Sequence, residues 1–164
     1  MAHPLLYKFS HILKQRKLKM FQKILYPTDF SDVAEKALTY IKKLKDSGAR
    51  EVVVLHVIDE RGFDRLHRFM GEEKFKDLKK YREEEVQKHL KGIAKELAEA
   101  GLKFTLRVET GIPVREILRV EKEEDVSALV IGSHGMSNLQ ELFLGSVSEK
   151  VIRRSKTPVF IIKR

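Results

Sequence analysis

The densest chemistry in the chain lies between Gly132 and Ser148. There the run Gly-Ser-His-Gly-Met-Ser-Asn-Leu-Gln-Glu-Leu-Phe-Leu-Gly-Ser-Val-Ser spaces Gly132, Gly135 and Gly145 as Gly-x2-Gly-x9-Gly-Ser. Glycines of this kind let the main chain turn with positive φ and come close to a ligand. Free amides at the start of a following helix, with the hydroxyls of Ser133, Ser137, Ser146 and Ser148, can donate to phosphate oxygens. Charge-assisted bonds contribute roughly 1.5 to 3 kcal/mol each, so four or five donors would support micromolar phosphate-ligand binding, about 8 kcal/mol, without a lysine. Structural glycine-rich turns share such spacing, so the assignment needs company elsewhere in the chain.

Two segments supply it: Tyr26-Pro27-Thr28-Asp29-Phe30-Ser31 and Leu55-His56-Val57-Ile58-Asp59. Asp29 stands in a strand-to-helix turn, where a carboxylate can meet a ligand or simply cap the helix. His56 sits inside an apolar run and reads as a satisfied core histidine. His134 lies between two glycines, yet no second His or carboxylate stands at metal-ligand spacing, so a metal site built by protein alone is not expected. Motifs of fast phosphate chemistry are missing: no G-x4-G-K-[ST] and no HRD or DFG set. Ser133 and His134 are adjacent but lack a third group to orient the base, so they do not make a triad. Hydrolysis by a positioned water would be slow.

The elements that must carry these residues alternate regularly. Lys23 to Pro27 reads as a buried strand, followed by a helix capped by Ser31 or Asp32, striped by Val33, Ala37, Leu38, Ile41 and Leu44, and ended by Gly48. Glu51 to Ile58 is too continuously β-branched for a half-exposed strand and belongs mid-sheet. Residues 60 to 100 hold 11 basic and 10 acidic side chains, a solvated face on one long helix that buries Leu78, Val86, Leu90, Ile93 and Leu97 and ends at Gly101. Phe104, Leu106 and Val108 alternate as a third strand. Gly111-Ile112-Pro113 opens a helix burying Val114, Ile117 and Leu118. Ala128 to Ile131 is a fourth strand, Ser146 to Arg154 a helix, and Thr157 to Lys163 a fifth strand. Such alternation predicts a Rossmann-like, doubly wound α/β domain with ligands at the carboxyl ends of its strands.

At 164 residues the chain fits one domain. It has no cysteine, which removes disulfides, Cys-ligated zinc and thiolate nucleophiles and favours an intracellular, cytoplasmic site. No apolar run approaches the roughly 20 residues of a membrane span. The net charge of +9 is uneven: Lys8, Lys14, Arg16, Lys17 and Lys19 face no acid within the first 20 residues, which leaves the rest at +4. A basic arm can attract phosphates or anionic lipid without specifying either. Leu5, Leu6, Phe9, Ile12 and Leu13 recur at helical spacing, so residues 1 to 19 read either as a short amphipathic helix or as a tail outside a domain spanning 20–164.

The combination of YPTDFS, LHVID, GIP and GSHG-x9-GSVS resembles the ATP-binding branch of the universal stress protein family, from about Phe21 to Arg164. The resemblance implies an adenine nucleotide alpha hydrolase-like sheet of five parallel strands in the order 3-2-1-4-5. It implies ATP, with Mg2+ held mainly by the phosphates, as the ligand. Main chain around Pro27, Thr28 and Val57 would frame the adenine, with Asp29 near the ribose or a phosphate-bound magnesium. Gly132, Ser133, His134, Gly135, Met136, Ser137 and Asn138 would cradle ribose and phosphates, and Gly145, Ser146, Val147 and Ser148 would meet the phosphates at the helix start. Met136 stands where a basic side chain is common, so binding by amides and hydroxyls is expected. The implied role is a nucleotide-dependent regulatory switch, dimeric through strand 157–163; a slow ATPase or phosphotransferase at the same site is the alternative. Valine at Gly132 or Gly145 is expected to abolish binding while the fold persists.

Overall fold

The computed structural model describes residues 21–135 and 144–164. Residues 1–20, with the expected basic arm, and Met136, Ser137 and Asn138 lie outside the described residues. Five strands, β1 (Lys23–Pro27), β2 (Glu51–Asp59), β3 (Lys103–Gly111), β4 (Ala128–Gly132) and β5 (Val159–Ile162), form one sheet in the order β3-β2-β1-β4-β5. All neighbouring pairs are parallel. β1 registers on β2 from Lys23 opposite Glu51 to Pro27 opposite Leu55, and on β4 at Ile24–Ala128 and Leu25–Leu129.

The β-pleat sends alternate residues to opposite faces, and both faces are covered. Ile24, Tyr26, Val52, Val54, Ala128 and Val130 pack under α1 (Asp32–Leu44) together with α3 (Glu72–Glu99), whose residues Leu90, Ile93 and Leu97 are buried. Leu25, Val53, Leu55, Leu129 and Ile131 pack instead on α4 (Pro113–Glu123) and α5 (Ser146–Arg154). This is the doubly wound arrangement that the alternation of elements predicts. Among the described residues, no helix is long and apolar enough to cross a membrane.

Local signals set the ends of α1. Ser31 Oγ accepts from the Ala34 amide at 3.3 Å, and acids in the first turn with lysines in the last complement the helix dipole. A 3-10 turn over Lys45–Ser47 then stops at Gly48, where φ is 109°. Tyr26 ties this helix to the sheet: its buried hydroxyl donates to the Ala34 carbonyl at 2.7 Å.

Two expectations require correction. Residues 60 to 100 form two helices, α2 (Glu60–Phe69) and α3 (Glu72–Glu99). Asp59 Oδ1 caps α2 by accepting from the Arg61 amide at 3.1 Å. Gly71 adopts extended backbone ahead of Glu72 and Glu73, a favourable start for a second helix. The last strand spans Val159–Ile162, shorter than Thr157 to Lys163, because the preceding turn is held by a side chain. Glu121 is buried, and its Oε1 accepts from Ser155 Oγ (2.8 Å), the Lys156 amide (3.0 Å) and the Thr157 amide (2.9 Å).

Glu121→Ala removes the common acceptor of three donors and is expected to destabilise the fold by about 2 to 4 kcal/mol. Glu121→Gln keeps an acceptor oxygen and should cost less. Urea unfolding of both variants measures the difference, and equal stability of Glu121→Ala and the natural chain would refute this role.

Candidate functional site

The chain leaves β1 for α1 on one face of the sheet and leaves β4 for α5 on the other, so the carboxyl ends of these neighbouring strands part. A cavity of about 350 Å³ opens there. Such a crevice at the switch in winding is where doubly wound sheets bind ligands. Pro27, Thr28 and Asp29 enter from the end of β1 and Val57 from β2, while Gly132, His134 and Gly135 follow β4. Gly145, Ser146, Val147 and Ser148 supply the start of α5. Ala34, Leu55, Ile117 and Ile131 add apolar walls that the motif reading did not assign to the site. Leu55 follows from the pleat, since it shares a face with Val57; Ile117 comes from a distant helix through tertiary packing alone.

Hydrogen bonds within and around it fix the loop after β1. The Thr28 amide donates to the Leu55 carbonyl at 2.9 Å, and the Phe30 amide to Thr28 Oγ1 at 3.1 Å. Asp29 Oδ1 accepts from both the Ser31 amide (3.1 Å) and Ser31 Oγ (2.7 Å). Asp29 therefore supports the capping residue rather than capping the helix itself. Its Oδ2 is turned to the glycine loop: a Cβ built on Gly135 would come within 2.5 Å of it. His56 projects to the opposite pleat, where its Nδ1 lies 2.9 Å from the Thr28 carbonyl oxygen. A carbonyl only accepts, so Nδ1 carries the proton. Burial pushes the His56 pKa down, against the raising influence of that bond and of Asp29, so the ring is neutral at pH 7.

Across the crevice, Gly145 begins α5 with no side-chain cap, and the first helical backbone bond runs from the Glu149 amide to the Gly145 carbonyl at 2.9 Å. The amides of Ser146, Val147 and Ser148 precede that bond and have no backbone acceptor among the described residues. Positive potential from the helix dipole gathers at this end. The serine hydroxyls are less available than expected. Ser148 Oγ donates to the Gly132 carbonyl at 2.8 Å, and Ser133 Oγ, 1% exposed at residue level, is bonded to His134 Nδ1 at 2.8 Å. Ser133 lies behind the cavity wall, with its amide donating to Ile162 at 2.8 Å. His134 Nε2 is buried without a hydrogen-bond partner. Among the described residues, no three His, Asp or Glu side chains are grouped to hold a metal ion.

The glycines are not equivalent. A Cβ on Gly132 would meet Val33 Cγ1 at 3.1 Å and the Ala34 amide nitrogen at 3.4 Å, so Gly132 is required for β4 to pass beneath α1. A Cβ on Gly145 would meet the Ser133 carbonyl oxygen and His134 Cα, both at 3.3 Å. At Gly135 the obstacle is only the end of a side chain. The expectation that valine at Gly132 spares the fold is therefore revised: branched bulk there strikes the core before it reaches any ligand.

Comparison with known proteins places this geometry among relatives. The universal stress protein family profile matches residues 20–163. The chain is 42% identical over 156 residues to universal stress protein MJ0577 of Methanocaldococcus jannaschii, covering 88% of this chain and 96% of that protein. A solved structure of MJ0577 superposes with a TM-score of 0.80 at 44% identity, over 88% of this chain and 97% of the other. Two more distant structures share the fold: a universal stress protein in complex with cAMP (TM-score 0.62, 23% identity, 87% of this chain and 97% of that one) and one from Archaeoglobus fulgidus in complex with dAMP (TM-score 0.58, 21% identity, 88% and 99%).

From these contacts, Gly132→Val is expected to destabilise the protein by about 2 kcal/mol or more, in the range of overpacked cores. Gly135→Ala should change stability by less than about 1 kcal/mol, because the Asp29 carboxylate can turn aside. Thermal unfolding of the pair reads the contrast, and equal losses would contradict it.

Proposed function

The chain belongs to the universal stress protein family, and we propose that it binds ATP in the β1–β4 crevice and acts in the cytoplasm as a dimeric, nucleotide-dependent regulatory switch. The observation that carries this reading is the uncapped start of α5, which contributes to the same 350 Å³ cavity as Asp29 and the apolar residues Leu55, Val57 and Ile131. One end of the cavity suits an aromatic base and the other suits anionic oxygens. Adenine would lie along Pro27 and Val57, with the ribose toward Asp29. The phosphates would meet the amides of Ser146, Val147 and Ser148. The buried, unpartnered His134 Nε2 in this wall is a further polar group that a ligand oxygen would satisfy. Magnesium, when present, would screen the phosphate charge and be held mainly by the phosphates.

What the residues do in this reading is orient and bind. Main-chain amides are fixed donors that need no reorganisation, which lowers the cost of holding a nucleotide. A second reading, slow hydrolysis or phosphotransfer, draws on the Asp29 carboxylate facing Gly135, where it could orient a magnesium ion or a water. Isothermal calorimetry with ATP, ADP and AMP, together with mass spectrometry of small molecules released from the purified protein, tests the main reading. A micromolar ATP dissociation constant and co-purifying ATP are expected; absence of both would overturn it. Phosphate release over hours would favour the second reading.

Assembly has its own support. β5 pairs only with β4, which leaves its outer edge open among the described residues. Phe160 on it is 36% exposed, with its ring 5.2 Å from that of Phe21. An open apolar edge invites pairing, and two copies joined antiparallel through 157–163 would satisfy the free amides and carbonyls about a two-fold axis. Light scattering at tens of micromolar is expected to report a dimer for the natural chain and dissociation for Phe160→Asp. A monomeric natural chain, or a persistent dimer of folded Phe160→Asp, would exclude this interface.

A further inference from the structure

Phe30, the residue after Asp29, has a φ of 63°, one of two positive values at non-glycine positions among the described residues. A residue bearing Cβ occupies this left-handed region only where its surroundings hold it. Those surroundings are the apolar core on which Phe30 packs and two imidazoles. The Phe30 ring is stacked on His56 of β2, with centroids 4.5 Å apart and planes at 20°, and on His89 of α3, at 4.7 Å and 13°. His56 is anchored by its bond to the Thr28 carbonyl, within the same loop. His89 is exposed and does not line the crevice. Three elements far apart in sequence thus converge on a single strained residue.

The strain has a direct bearing on the site. Asp29 Oδ1 reaches across Phe30 to the amide and hydroxyl of Ser31. Relaxation of Phe30 to an ordinary backbone angle would turn the intervening peptides and break that span. The other carboxylate oxygen would then lose its aim at Gly135. On the far side of the stack, a second cavity of about 490 Å³ separates α1 from α3, bordered by Phe30, Leu38, His89 and Gly92. A Cβ on Gly92 would touch nothing within 4 Å. Helix α3 thus stands apart from α1 at this cavity, and the ring contact through His89 joins it to the loop beside the apolar packing of Phe30 on the core.

We infer that His89 is a positioning residue for the nucleotide: by closing the three-ring stack it holds Phe30 left-handed and keeps Asp29 turned into the crevice. The inference rests on the crevice being the nucleotide site proposed above. Linkage makes the effect reciprocal, so a nucleotide that holds the loop also seats the α3 segment bearing His89. An exposed helix face, remote from the ligand, becomes responsive to occupancy.

The test compares ATP binding by the full natural chain, His89→Ala, His89→Gln and His89→Phe. The first two variants are good helix formers at an exposed position and remove the ring; the third keeps a stacking face. Calorimetry is expected to show about three- to tenfold weaker ATP binding for Ala and Gln, the range of a lost aromatic pair, and recovery to within about twofold for Phe. Amide exchange over residues 84–93 should slow on ATP addition in the natural chain and in His89→Phe, and remain unchanged in the Ala and Gln variants. Natural affinity in folded His89→Ala and His89→Gln, or a loss in His89→Phe as large as theirs, overturns the inference. A natural chain that binds no adenine nucleotide fails one stage earlier and overturns the crevice reading together with this one.

Discussion

The constraint on which the rest depends is the change in winding between β1 and β4. These strands are hydrogen-bonded neighbours at Ile24–Ala128 and Leu25–Leu129, yet the helices that follow them lie on opposite faces of the sheet. No packing solution closes the gap above their carboxyl ends, because each chain turns away from it. The same parting brings the start of α5 to one wall and the Thr28–Ser31 loop to the other. Tyr26 makes the arrangement rigid by bonding the first turn of α1 back to the sheet, and Gly132 makes it possible by letting β4 pass close beneath that turn. Sheet stability and site geometry therefore share residues, and for that reason Gly132 cannot be read as a ligand residue alone.

Much of this was legible in the residues. The apolar runs of β1, β2 and β4 show that they are buried on both faces, and Ser31 and Gly48 mark the ends of the first helical segment through capping and positive φ. The glycine spacing and the Asp29 turn converge on one cavity, and α5 begins at the expected Ser146. What the sequence left hidden depends on packing between distant segments. The split at Gly71 reflects local capping inside a charge-rich stretch that looks uniform by composition. The shortening of β5 follows from Glu121, whose three bonds link positions more than thirty residues apart. Ile117 and His89 reach the crevice and its loop from helices whose sequences carry no sign of either. The serine hydroxyls illustrate a different limit: their type suggested ligand donors, but Ser133 and Ser148 are occupied in holding the strand-to-helix turn.

The site's main offering to an anion is backbone. Amide donors at a helix start have fixed positions and do not titrate, so they add no pH dependence of their own to phosphate binding. Turnover needs interactions that are stronger in the transition state than in the ground state, whereas the support drawn from this arrangement is for binding. That physical character supports the proposed reading, in which the output is a change of state on occupancy. In the proposed coupling the left-handed Phe30 would transmit such a change, since it stacks on β2's His56 on one side and α3's His89 on the other.

The contact between Asp29 and Gly135 has a consequence for how this sequence can vary. A carboxylate oxygen occupies the space that any side chain at position 135 would need. A side chain at position 135 is therefore accommodated only if its neighbour across the crevice turns aside. Shortening residue 29 to alanine or serine would release that restriction, and the two positions form a single coupled choice: an acid facing a bare backbone, or a small residue facing a small side chain. In a lineage that gave up its acidic group, drift at the glycine would be the mark left behind, and a chain retaining the glycine without the acid would show that the loop itself demands it.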